Sequence, residues 1–171
     1  VTLLTLNALA QTPAVVPSVY DSASRQVNAC EQGNSQECVN VAWRYLRADG
    51  VRQDAPYAAR QLRLGCDRDH GEACSILGDL TRDGNGVAGD ILAATELYTK
   101  ACNLHSGVSC RKVADIYLVG LGRQTDPQTA GLWYQLGCEL KDGPSCTATG
   151  LWYERGDIMQ ADPDYARSLF E

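Results

Sequence analysis

The chain has 171 residues with 15 basic and 21 acidic side chains, a formal net charge of −6, which argues against a protein that grips a nucleic-acid backbone. Apolar residues make up 44% and charged residues 21%, a globular balance that argues against a disordered or collagen-like chain. One Phe against eight Tyr and three Trp means that most large rings carry a polar handle, which suits thin layers better than one deep core.

In chain order, residues 1–10 are apolar and run out in Ala8, Leu9, Ala10 and Gln11. That reads equally as the end of a secretory leader with a small-x-small cleavage site and as a cap over the first helical unit. Pro13 and Pro17 make residues 12–18 a connector, so residues 1–19 form an N-terminal segment and 20–171 the folded array. Nothing approaches the roughly 20 consecutive apolar residues of a transmembrane helix.

From residue 30 onward the chain repeats. The cysteines fall as Cys30 and Cys38, Cys66 and Cys74, Cys102 and Cys110, Cys138 and Cys146, each pair eight apart and each displaced 36 from the last. A fixed period of this size is the signature of a solenoid of stacked units. Ala58, Ala94, Ala130 and Ala166 keep the same register, as do Leu62, Tyr98, Tyr134 and Phe170. Small residues recur at Ala42, Gly78, Ala114 and Gly150, where neighbouring helices approach closely. Apolar and small positions at 38, 41, 42 and 45 follow helical spacing. Gly50, Gly86 and Gly122 then mark a turn. A second helix begins at Asp54, Asp90, Asp126 and Asp162, acids favoured at a helix start, with Pro56, Pro127 and Pro163 just inside. Gly33, Gly71, Gly107 and Gly143, between the paired cysteines, are expected to close that helix in the left-handed conformation. One further step of 36 from Cys138 would fall at 174, so the chain stops inside a repeat.

Eight residues along one helix would hold two α-carbons about 12 Å apart, whereas a disulfide needs less than about 7 Å. If the chain reverses between the cysteines, each pair can close, and the spacing predicts four disulfides: Cys30–Cys38, Cys66–Cys74, Cys102–Cys110 and Cys138–Cys146. Zinc is the rival, but its ligands usually sit two to four residues apart, and only His70 and His105 could join the thiolates. No Cys-x-x-Cys redox motif occurs. No metal or other cofactor is expected. Structural disulfides belong to an oxidising compartment, so a periplasmic or secreted location is expected.

Leu77, Gly78, Thr81, Gly84, Gly86 and Val87, followed by Asp90, Ala94, Tyr98, Lys100, Ala101, Cys102 and Cys110, resemble the Sel-one-like repeat in its cysteine-stapled, Hcp-type branch. The resemblance covers roughly residues 20–171. It implies an all-α fold, a right-handed, TPR-like superhelix of helical hairpins whose concave face binds peptides or proteins. The fourth unit departs from the pattern, with Ile158 and Met159 where Gly and Val are expected, so its turn should differ.

Chemistry-bearing motifs are sparse. Ser109 and Lys112 match the S-x-x-K of penicillin-recognising enzymes, and some Hcp-type relatives bind penicillins, but the accompanying S-D-N and K-T-G are missing. A weak β-lactam hydrolase is therefore the enzyme alternative to a non-enzymatic scaffold. His70 and His105 read as solvated loop residues, and no Cys-x-x-Cys-His haem-attachment motif accompanies them.

Positions fixed by the fold repeat, whereas positions free for binding vary. On the first helix of each unit one stripe reads Asn40, Trp43, Arg47; Ile76, Asp79, Asp83; Lys112, Asp115, Val119; and Ala148, Leu151, Arg155. Such a stripe along successive helices is expected to line the binding groove. Trp43 stands out as a residue type enriched at contact hot spots. Trp133 and Trp152 are expected to pack between helices. The expected partner is a protein or peptide bound by a monomer, with a toxin-immunity role as a more specific version.

Overall fold

The computed structural model describes residues 19–170, so the leader-or-cap reading of residues 1–18 lies outside the described residues. These contain nine helices and no strand: α1 (Val19–Glu31), α2 (Ser35–Arg47), α3 (Ala55–Asp67), α4 (Gly71–Asp83), α5 (Ile91–Asn103), α6 (Gly107–Val119), α7 (Pro127–Glu139), α8 (Gly143–Arg155) and α9 (Pro163–Phe170).

Helices α3, α5, α7 and α9 start where the recurring aspartates place them. Each carboxylate accepts a backbone N–H one turn in: Asp54 from Tyr57 at 2.8 Å, Asp90 from Ala93 at 3.0 Å, Asp126 from Thr129 at 3.0 Å and Asp162 from Tyr165 at 2.9 Å. The even helices carry a second capping series, Asn34, His70, Ser106 and Asp142, also 36 apart. Its residue type changes in every unit, which hides it from sequence inspection.

The turn between paired cysteines corrects one expectation. Only Gly33, at φ 113°, is left-handed there; in the other three turns that conformation belongs to Asp69, His105 and Lys141, at φ 60°, 69° and 67°. Gly71, Gly107 and Gly143 instead open α4, α6 and α8. At 71 and 107 the missing side chain serves close packing. A Cβ would lie 3.2 Å from the Leu104 carbonyl oxygen in one case and 3.0 Å from that of Leu140 in the other, both in the turn of the next hairpin. The glycine turns between units behave as expected, with Gly50, Gly86 and Gly122 at φ 67°, 77° and 68°. Ile158, in register with them, has no positive φ, so the fourth turn does differ.

All eight cysteines are paired as the spacing predicts, with Cα separations of 4.7, 4.6, 4.8 and 4.4 Å from the first pair to the last. Each bridge ties the end of an odd helix to the start of the next even one. Across the glycine turns α2 packs on α3, α4 on α5, α6 on α7 and α8 on α9, so the layer grows by nearest-neighbour contact. The core is correspondingly thin and divided. One cluster centres on Val39, Leu62 and Leu77, a second on Tyr98 and Val113, and a third on Ala114 and Tyr134, against which Trp133 and Trp152 pack. Small residues set the spacing: a Cβ on Gly78 would meet the Tyr98 ring at 2.6 Å, and one on Gly150 the Phe170 ring at 2.7 Å. Lys100 fastens one unit to the previous one by donating to the Cys66 carbonyl at 2.8 Å, where the C-terminal end of α3 favours a cation.

Candidate functional site

The even helices carry the stripe singled out by its variability, and side chains bridge from one even helix to the next. On α2, Arg47 stacks over Trp43, its guanidinium carbon 4.4 Å from the ring centroid. With Asn40 and Gln26 they line a shallow pocket of about 280 Å³. Trp43 is half-buried, one edge packed on the core cluster that contains Leu62.

On α4 and α6 the stripe is an ion-pair cluster. The Lys112 ammonium donates to both Asp79 carboxylate oxygens at 2.8 Å and to the Ser75 hydroxyl at 3.2 Å. The Tyr98 hydroxyl donates to Asp79 at 2.9 Å, and Lys112 lies 5.0 Å from the centre of the Tyr98 ring. Burial, then the hydrogen bond to Asp79, push the Tyr98 hydroxyl well above the usual phenol range. Asp115 repeats the arrangement one unit on, accepting from Tyr134, whose hydroxyl is raised for the same reasons. Arg111 reaches onward to Asp142 at 2.9 Å. Asp83 pairs with Arg82 at 2.7 Å, and this hydrogen bond holds its carboxyl below the usual range.

Two findings change how the stripe reads. Ile76 departs from its expected surface position, since at 8% exposure it packs into the first core cluster beside Leu77 and Leu80. The variation at Trp43, Asp79, Asp115 and Leu151 also follows the residue 19 positions later: Leu62, Tyr98, Tyr134 and Phe170. Where that residue brings a hydroxyl the stripe supplies an aspartate, and where it does not the stripe is apolar. Part of what looked like freedom is therefore an inter-helix joint. The part of the stripe that stays at least partly exposed is Trp43 with Asn40 and Arg47, the Asp79–Lys112 and Asp115–Arg111 pairs, and Asp83, Val119, Leu151 and Arg155. Val119 is 64% exposed. Arg82 and Arg111 also belong to this surface, and the buried Ser75 supports Lys112 from beneath; sequence spacing does not reveal them, because their roles depend on partners brought close by the fold.

The remaining candidates do not assemble into a reacting centre. Ser109 is fully buried and bonded to Ser106 at 2.9 Å, while the Lys112 ammonium is held on α4, so the two make no nucleophile–base pair. His70 caps α4, its Nδ1 accepting from the Ala73 N–H at 3.4 Å, and His105 is exposed in its turn. Among the described residues no group of three or more His, Cys, Asp or Glu could hold a metal ion, and no helix is long and apolar enough to cross a membrane.

The fold and this surface define a class: an all-α solenoid of disulfide-stapled hairpins that displays one row of side chains along successive helices. The chain belongs to the Sel1 repeat family, whose repeat matches residues 38–70, 71–106, 107–142 and 143–171. Among solved structures it is similar to a Sel1 repeat protein from Oxalobacter formigenes, at 21% identity and a TM-score of 0.80, over 87% of this chain and 61% of that one. Cysteine rich protein B from Helicobacter pylori is similar at 22% identity and a TM-score of 0.60, over 75% of this chain and 95% of that one. An immunity protein from Pseudomonas aeruginosa is similar at 19% identity and a TM-score of 0.55, over 95% of this chain and 60% of that one. The chain spans less than two thirds of the first and third of these, and identities this low establish a shared fold. A comparison with curated proteins finds no match.

Proposed function

We propose that the chain is a non-enzymatic scaffold that binds a protein partner through its row of even helices in a periplasmic or extracellular setting. The observation that carries this reading is the pairing of every cysteine in a repeat array whose variable side chains share one face. Four staples suit an oxidising compartment. A row of charged and aromatic groups on fixed helices suits a large partner better than a small molecule in a closed pocket. Trp43 and Arg47, stacked on each other, form its best anchor.

Affinity capture from an envelope extract tests this, with oxidised wild type beside a Trp43→Ala, Arg47→Ala variant. The expected result is a partner that the wild type retains, the variant loses, and the purified wild type binds directly. Equal retention by both proteins would refute the proposed face. A more specific reading, supported by the fold shared with the Pseudomonas immunity protein, makes that partner a secreted bacterial toxin held inactive by the same row. Restoration of toxin activity by the double variant would mark that case. The hydrolase alternative is disfavoured by the burial of Ser109, and a covalent β-lactam adduct on Ser109 would revive it.

A further inference from the structure

Arg123 breaks the repeat. In register with it stand Val51, Val87 and Met159, three half-buried apolar side chains, of which Val87 packs directly on the first core cluster. In the third unit this joint holds a guanidinium stacked 4.3 Å over the Tyr117 ring. Its Nε is buried and has no hydrogen-bond partner among the described residues, and the head makes no ion pair there. A buried donor left without an acceptor costs stability, and valine at the same joint would avoid that cost. The cation is held ready by the ring beneath it and lacks only an anion.

The head opens on a groove of about 710 Å³ along α5, floored by Leu92, Leu104 and Tyr117. Leu92 is 49% exposed, an apolar surface beside the charge. Asp69 on the groove wall is already neutralised by Lys100 at 2.9 Å. Glu96, one helical turn from Leu92, has no ion-pair partner among the described residues and repels a uniformly acidic ligand. Gly122, the residue before Arg123, lies against Ile91 and, more loosely, Leu92 at the start of α5, and Arg123 lines that groove. We infer that the groove along α5 docks an extended protein segment that sets a single carboxylate on Arg123 and apolar side chains on Leu92 and Leu104. The carboxylate takes two terminal N–H groups on the open edge of the guanidinium side by side, the two-pronged geometry that arginine favours. This groove shares no residue with the Trp43–Arg47 pocket, so the inference stands or falls independently of the proposed even-helix face.

The test uses the oxidised chain and two fluorescently labelled peptides, acetyl-Leu-Ala-Glu-Ala-Leu-amide and its Gln counterpart, followed by anisotropy. The Glu peptide is expected to bind at least about tenfold more tightly than the Gln peptide, with affinity falling as salt rises. Arg123→Val is expected to melt no lower than wild type while binding both peptides equally weakly. Trp43→Ala with Arg47→Ala should bind as wild type, and Glu96→Gln should bind the Glu peptide more tightly. Should Arg123→Val fail to fold, Arg123→Lys keeps the charge, loses the fork and must weaken the Glu peptide at least several-fold. Equal binding of the two peptides, binding of neither, or wild-type affinity in the Arg123 variants would overturn the inference.

Discussion

Asp79 and Tyr98 offer a quantitative test of the joint between units, because the fold supplies both the polar version and its apolar replacement. Replacing Tyr98 with Phe removes one hydrogen bond to a carboxylate that Lys112 still holds at 2.8 Å, a loss of about 1.5 kcal/mol. Asp79→Leu is harsher. It strands the Tyr98 hydroxyl on a ring that is otherwise fully buried and leaves Lys112 with only Ser75, together about 3 kcal/mol. The figure is held down because Asp79 is 34% exposed, so solvent screens part of its charge. The double variant recreates the Leu–Phe combination found at Leu151 and Phe170, and the stranded hydroxyl disappears. Its cost should fall short of the sum of the two single variants by about 1.5 kcal/mol, a coupling typical of residues in contact. Urea denaturation of the four proteins, with unchanged slopes, measures this directly. A coupling within about 0.3 kcal/mol of zero would refute the claim that these positions form one joint.

The same geometry gives three further expected outcomes. Replacing Cys102 and Cys110 by Ser should cost about 2.5 kcal/mol, the loop-closure value for so short a ring, and a loss below about 1 kcal/mol in urea would show that the staple is dispensable. Gly78→Ala should destabilise by about 1–3 kcal/mol because its Cβ would lie 2.6 Å from Cε1 of Tyr98, and adding Tyr98→Leu, as in the Ala42 and Leu62 unit, should relieve the strain; calorimetry of both variants decides it. The hydroxyls of Tyr98 and Tyr134 are raised above the usual 10.0, so their stabilising share is complete below that pH and is lost as pH climbs through the folded values. The urea midpoint should therefore fall only above pH 10, with these two rings last to show tyrosinate absorbance, and a Tyr98→Phe, Tyr134→Phe variant should flatten the alkaline decline.

The sequence revealed what is repeated identically. Cysteine spacing, the aspartate caps and the Ala58, Ala94, Ala130 and Ala166 series each keep one residue type through all of the units, and each appears in the structure where the period places it. Features that keep a role while changing residue were illegible. The caps of the even helices pass through Asn34, His70, Ser106 and Asp142, four side chains that share only an acceptor atom. The left-handed turn passes through Gly33, Asp69, His105 and Lys141, and the nearby glycines at 71 and 107 point to the wrong positions because close packing also demands glycine. The Asp79–Tyr98 joint hid for another reason. Its partners lie on helices packed antiparallel, so their relation is an offset of 19 that no single-helix periodicity displays. The 36-residue register from Asn40 assigns Ile76 to the surface stripe, yet its apolar side chain joins the core cluster where the polar Asn40 remains half-exposed.

The most direct test of the scaffold reading is hydrogen–deuterium exchange on the oxidised chain, alone and with the partner recovered by affinity capture. Slower exchange along α2 and α4 around Trp43, Arg47 and Asp79, lost in the Trp43→Ala, Arg47→Ala variant, is the expected result. Protection confined to the odd helices, or unchanged in that variant, would contradict the claim that the row of even helices is what the protein offers to its partner.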